Sequence, residues 1–200
     1  MPEPTISIER RKVKYARISI NRDLQIQIVI PLRYSQAELA VFLASKQAWL
    51  QKHVTNFSKE AKNRIPIGEG QLLYKGRVID KPITLTSKPK VLQWYKQEIR
   101  TYILKRLPEL AAQFGYRYNR LFIRDTKSRW GSCSIKKNLS FNWRLIKAPE
   151  SVIDYVILHE LAHTVHFNHS KQYWAVVERT CPNYKQAIHW LKLHGADLYY

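Results

Sequence analysis

Two histidines four residues apart with a glutamate beside the first, His159-Glu160-Leu161-Ala162-His163, carry the clearest chemistry in this chain. On a helix, residues i and i+4 lie on one face a turn apart, so both imidazoles can reach one metal ion. Glu160, one step round, stands beside that metal without ligating it and can take a proton from a water there. This is the H-E-x-x-H pattern of zinc sites. The surrounding residues, among them Val152, Ile153, Val156, Ile157, Leu158 and Leu161, are apolar nearly all round the helix, so the spacing predicts a buried helix. Ionisable groups in a buried helix are costly unless paired, and metal ligation supplies the pairing.

A catalytic zinc takes three protein ligands and keeps a position open for water. His169 follows His163 by six residues, the offset of the third histidine in metzincins. Those proteins turn the chain with glycine where this sequence has His166; here Phe167-Asn168 is expected to make the turn, since Asn tolerates positive φ. Glu178 is the alternative third ligand, supplied from a following helix. His166 can serve as a substrate contact or as a cation at a helix end. His189 and His194 read as surface or packing residues.

The elements that must position these groups are legible as α+β. Strands are expected at Ile6–Ile8, Ile18–Ile20 and Leu24–Ile30, with a turn at Asn21–Asp23. Ser35 and Glu38 form a capping-box pattern ahead of a helix to about His53. Two short strands are expected near Leu72–Tyr74 and Ile83–Leu85. A long helix should run from Val91 to Phe114 and stop at Gly115, with a kink or break at Pro108. Strands at Leu121–Arg124 and Leu139–Trp143 flank a Gly/Ser turn region at Trp130–Ser134. Helices follow Pro149 and then span Lys171–Thr180 and Tyr184–His194. A boundary near residue 90 divides a β-rich N-terminal subdomain with one helix (1–90) from a catalytic domain (91–200).

The 45% apolar and 12% aromatic content excludes disorder. No apolar run approaches a membrane span, and the first residues lack the apolar core of a signal peptide. Two cysteines, Cys133 and Cys181, are too few for a disulfide scaffold. The expectation is a cytoplasmic protein with reduced thiols and no membrane partner. The net charge of +19 divides almost evenly about residue 90, so it is no basic tail. A field of this sign attracts DNA or another polyanion. Its densest stretch runs from Arg120 to Lys147.

Within that stretch, Arg129-Trp130-Gly131-Ser132-Cys133-Ser134 reads either as part of an active-site strand or loop, with Arg129 and Ser132 touching substrate, or as structural packing. Asn142 is a candidate for orienting a ligand from outside the coordination sphere. Cys133 reads as a buried thiol, with metal ligation as the alternative. Together with Arg124–Ser134, Asn142-Trp-Arg-Leu145, Asn168-His-Ser170 and Tyr173-Trp174, the histidine motif resembles the YgjP-like metallopeptidase family, related to SprT-like and WLM zinc proteases. The resemblance covers most of the chain. It implies a zincin-like fold, Zn²⁺ as cofactor, His159, His163 and His169 as ligands, Glu160 as general base, and a protein or peptide substrate. Two other readings stand beside it. A nucleotide phosphohydrolase would be favoured by a cluster including Arg124, Lys127, Arg129, Lys136 and Arg144 facing the metal. A nucleic-acid-binding module with structural zinc would need a fourth ligand such as Cys133 or Glu178.

Overall fold

In a computed structural model the chain is described at residues 4–21, 24–61 and 64–199, and it divides into two compact units, Met1–Arg64 and Ile65–Tyr200. The first holds β1 (Thr5–Arg11), β2 (Arg17–Ile20), β3 (Gln25–Pro31) and α1 (Gln36–Ala61). β3 is central, parallel to β1 and antiparallel to β2. Its alternation puts Ile26, Ile28 and Ile30 on one face, where Leu39, Phe42, Leu43 and Leu50 of α1 cover them. The Ser35 and Glu38 capping box forms: Glu38 accepts from the Ser35 N–H at 2.7 Å and donates its own N–H to Ser35 Oγ at 3.2 Å. α1 runs about two turns beyond the expected end at His53, a stretch along which the Trp49, His53 and Phe57 rings succeed one another. Of the expected turn at 21–23, residues 22 and 23 lie outside the described ones.

The second unit opens with the hairpin β4 (Gln71–Tyr74) and β5 (Arg77–Asp80). The strand expected at Ile83–Leu85 is not there. Lys75 and Gly76 both adopt left-handed φ, 49° and 76°, making the two-residue turn that returns the chain at once to pair Leu72 with Ile79. Ile83 is exposed instead. The turn is tied down by Lys75 N–H to the Ile146 carbonyl (2.7 Å) and Gly76 N–H to that of Lys147 (2.9 Å). These bonds are why the division falls at Arg64/Ile65 and not near residue 90.

α2 (Lys88–Phe114) starts at Ser87 and ends at Gly115 in the left-handed region, whose N–H reaches the Ala111 and Ala112 carbonyls. It continues through Pro108 without the expected break. Tyr95, Ile99, Ile103 and Leu107 recur every four residues along its buried stripe. β6 (Leu121–Arg124), β7 (Gly131–Cys133) and β8 (Leu139–Asn142) form a sheet in the order β6-β8-β7, β8 being parallel to β6 and antiparallel to β7. The Gly/Ser segment expected as a turn is thus an edge strand. A 3₁₀ turn at Trp143–Lys147 leads to α3 (Glu150–Ala162), followed by α4 (Lys171–Thr180) and α5 (Tyr184–His194). α3 is the core of this unit. Ile153, Ile157 and Leu161 are fully buried, and α2, α4, α5 and β7 all pack on it. Among the described residues no helix is long and apolar enough to cross a membrane.

Candidate metal centre

α3 delivers His159 and Glu160 in its last full turn and His163 at its C-cap. The chain then reverses. Val165 and His166 N–H both bond the Ala162 carbonyl, and Ser170 caps α4 by accepting from Tyr173 N–H. Asn168 does not take the positive φ expected of it. The turn is made at 163–165, with a bend at 167–168.

This reversal brings His169 over α3. Its Nε2 lies 3.2 Å from His163 Nε2 and 3.4 Å from His159 Nε2, and all three histidines offer a nitrogen within 4.8 Å of one another. Nitrogens bound to zinc at roughly 2.0–2.1 Å in tetrahedral geometry stand about 3.3 Å apart, so the donor set fits that ion. Glu178 is exposed on α4 and outside the group. Cys133 is outside it too; burial pushes its thiol up to about 11, which suits an inert sulfur. Neither closes the site with a fourth ligand.

The rings are prepared for a cation. His163 Nδ1 is 3.0 Å from the His166 carbonyl. A carbonyl only accepts, so Nδ1 carries the proton and Nε2 turns a lone pair into the site. Burial, then the neighbouring His163 and His169, push His159 down to about 4; burial lowers His163 as well. Neutral imidazoles are the ligating form.

Aromatic side chains fix these rings, a layer invisible in the histidine spacing. Tyr173 is fully buried, stacks on His163 (centroids 4.4 Å apart) and donates its hydroxyl to the His159 carbonyl at 3.1 Å. Trp174 stacks on His169 and, beyond it, Tyr184. The Tyr155 hydroxyl lies 3.3 Å from His159 Nδ1, one turn before it on α3. Replacing Tyr155 with Phe is expected to weaken zinc affinity about tenfold, the low end for a partner that orients a ligand because this bond is long. Competition with a chromophoric chelator measures it.

Glu160 is buried, and its Oε2 has no hydrogen-bond partner. Burial pushes it up to about 8, against a lowering pull from Arg129. An orphaned buried carboxylate beside three converging imidazoles is a group awaiting a proton or a cation. Gly131 of β7 is its floor: a Cβ there would lie 2.5 Å from Glu160 Oε1.

The other sequence candidates are placed as follows. Asn142 is buried, and its amide serves the chain: Nδ2 donates to the Thr126 carbonyl (2.7 Å) and Oδ1 accepts from Arg144 N–H (3.1 Å). It touches none of the three histidines. His166 contributes its carbonyl to His163 and leaves its ring partly exposed. Arg129 is exposed and Ser132 half-buried on β7. Arg144 pairs with Asp125 and stacks on Trp143 and Tyr199. His194 sits 3.4 Å from Asp197, with its ring tilted against that of Trp190.

The chain matches the family model described as YgjP-like, metallopeptidase domain, over residues 14–91 and 81–194. Among solved structures it is similar to the metallopeptidase zymogen of Pyrococcus abyssi, abylysin, at 24% identity and a TM-score of 0.40, covering 42% of this chain and 87% of that one. The metallopeptidase zymogen of Methanocaldococcus jannaschii, jannalysin, is similar at 23% identity and a TM-score of 0.37, covering 43% and 92%. No curated protein matches.

Proposed function

We propose, from the premise that the chain belongs to the YgjP-like metallopeptidase family, that it cleaves peptide bonds with zinc held by His159, His163 and His169 and with Glu160 as general base. Membership makes it a metal-dependent hydrolase; the residues, the metal and the mechanism are our assignment. The observation that carries it is the convergence of three imidazole nitrogens beside a buried carboxylate with no partner of its own. Zinc there would polarise the scissile carbonyl and acidify the attacking water.

Glu160 then accepts a proton from that water as its oxygen attacks the carbonyl carbon. Its raised affinity for protons near neutral pH suits a group that must take one and give it up within a cycle. The same proton passes to the amine nitrogen as the C–N bond breaks. Arg129 pulls against the effect of burial on Glu160, favouring the ionised carboxylate. We assign His166 to contact with the substrate chain and Asn142 to holding the loop that carries Arg129; Ser132, expected to touch substrate, projects instead from the sheet face opposite Gly131 and Glu160, and lines a cavity there with Arg129.

Peptide cleavage is favoured over phosphate-ester hydrolysis because two of the cations that phosphate chemistry would recruit are turned elsewhere. Arg144 is engaged by Asp125, and Arg124 projects from the opposite face of its sheet to Gly131. The test gives the zinc-loaded protein an unfolded polypeptide and, separately, nucleoside triphosphates. Proteolysis that a chelator abolishes and zinc restores is the expected result. Metal-dependent phosphate release without proteolysis would overturn the reading.

A further inference from the structure

The sheet that packs against α3 has a second face with a cavity of its own. Side chains alternate along a strand. On β8, Leu139 and Phe141 are fully buried in the core, so Ser140 and Asn142 project the other way. On β7, Gly131 meets Glu160, so Ser132, paired with Ser140, also projects outward. Phe122 and Arg124 of β6 share this face through their pairing with Ser140 and Asn142. The cavity there has a volume of about 230 Å³ and is lined by Arg124, Thr126, Arg129, Ser132, Ser140 and Asn142 together with nearby backbone. Pockets that take whole small molecules run to roughly 300–1,000 Å³; this one suits a single charged group.

Its chemistry is that of an anion site. Among the described residues neither Arg124 nor Arg129 has a carboxylate within ion-pair distance, and Arg129 acts on Glu160 only from farther off. The Arg124 guanidinium lies 4.8 Å from the Phe122 ring, and stacking occupies its flat face while leaving its N–H edge to a ligand. The Ser132 and Ser140 hydroxyls make no hydrogen bond among the described residues. The loop bearing Arg129 is already fixed: Asn142 Nδ2 and the Thr126 hydroxyl both donate to the Arg129 carbonyl, at 3.3 and 2.7 Å. Two guanidinium forks and two hydroxyls offer more donors than the two oxygens of a carboxylate can accept, and match the three or four oxygens of a phosphate. We infer that this outer face binds a phosphate group, free or carried by a nucleotide or nucleic-acid strand, through Arg124, Arg129, Ser132 and Ser140. The inference does not rest on the proposed reaction, although Arg129 also acts electrostatically on Glu160.

The test uses metal-free protein in chelator, so that the histidines cannot hold phosphate through an ion. Orthophosphate, a nucleoside triphosphate and a single-stranded oligonucleotide are titrated in turn. The variants are Arg124→Gln, Ser140→Ala and, as a cation elsewhere on the surface, Lys105→Gln; melting curves check each fold. Arg124→Gln is expected to weaken whichever of these ligands binds about tenfold or more, Ser140→Ala by less, and Lys105→Gln not at all. If the oligonucleotide is the ligand, Arg124→Gln should also reduce the slope of log K against log salt by about 0.7, one phosphate contact on a single strand. Binding of orthophosphate or nucleotide with the same mutant order identifies a small-molecule source. No binding of any of the three, or equal weakening by Arg124→Gln and Lys105→Gln, overturns the site, since the latter is a response to net charge alone.

Discussion

Replacing Glu160 with Gln is expected to lower peptide hydrolysis by about 10²–10⁴-fold, the usual contribution of a positioned general base, with zinc content unchanged. The substitution keeps the side chain's shape and touches none of the three histidine donors. It removes only the capacity to accept a proton. A second readout comes from stability. Burial raises the Glu160 carboxyl from 4.5 to about 8, so the folded metal-free protein binds this proton more tightly than the unfolded chain does. The stability this confers is full below pH 4.5 and is lost as pH rises through 8. His159 acts oppositely. Lowered from 6.5 to about 4, it contributes stability present above pH 6.5 and lost as pH falls through 4. Denaturant melts of the metal-free protein should therefore show Glu160→Gln abolishing the decline between pH 4.5 and 8 while the acid-side loss persists. A variant that keeps full turnover would remove Glu160 from the mechanism. Lost zinc would instead make it a ligand.

The parts of this molecule that could be read from sequence are those governed by local rules. His159 and His163 fall together because a helix repeats every 3.6 residues, and the apolar residues around them fix that helix in the core. The Ser35 cap and the Gly115 stop follow from backbone groups that a helix end leaves unpaired. What the sequence did not yield depends on neighbours distant along the chain. Gly131-Ser-Cys133 has weak strand propensity and becomes a strand because β8 supplies its hydrogen bonds. The second strand of the hairpin is decided by Lys75 and Gly76 rather than by apolar content, which is as high at the exposed Ile83. Tyr173 and Trp174 brace the histidines only because the chain reverses after α3 and brings α4 beneath His169. The division at residue 65 has the same origin, since the Lys75–Gly76 turn is hydrogen-bonded to the segment before α3.

Gly131→Ala is expected to lower turnover by about 10²-fold while zinc stays bound. The backbone at 131 is not in the left-handed region, so an alanine carries no conformational penalty there; its effect is spatial. The new Cβ would lie 2.6 Å from Glu160 Cγ and 2.8 Å from its Cδ, as well as 2.5 Å from Oε1. Rotating the carboxylate alone cannot relieve contacts that reach Cγ. Something larger must move, and both supports resist. β7 is held to β8 opposite the fully buried Phe141, and α3 is packed by helices and sheet on nearly every side. Overpacking of this kind costs about 1–3 kcal/mol of stability, and a catalytic group displaced by about 1 Å can lose 10²-fold in rate. The three atoms nearest the new Cβ all belong to Glu160 and none to a histidine, so metal affinity should change little. Because the damage acts through Glu160, adding Gly131→Ala to Glu160→Gln should cost almost nothing further in rate, whereas independent defects would multiply. Near-normal turnover in the single variant would mean that the carboxylate does its work from somewhere other than its place above β7.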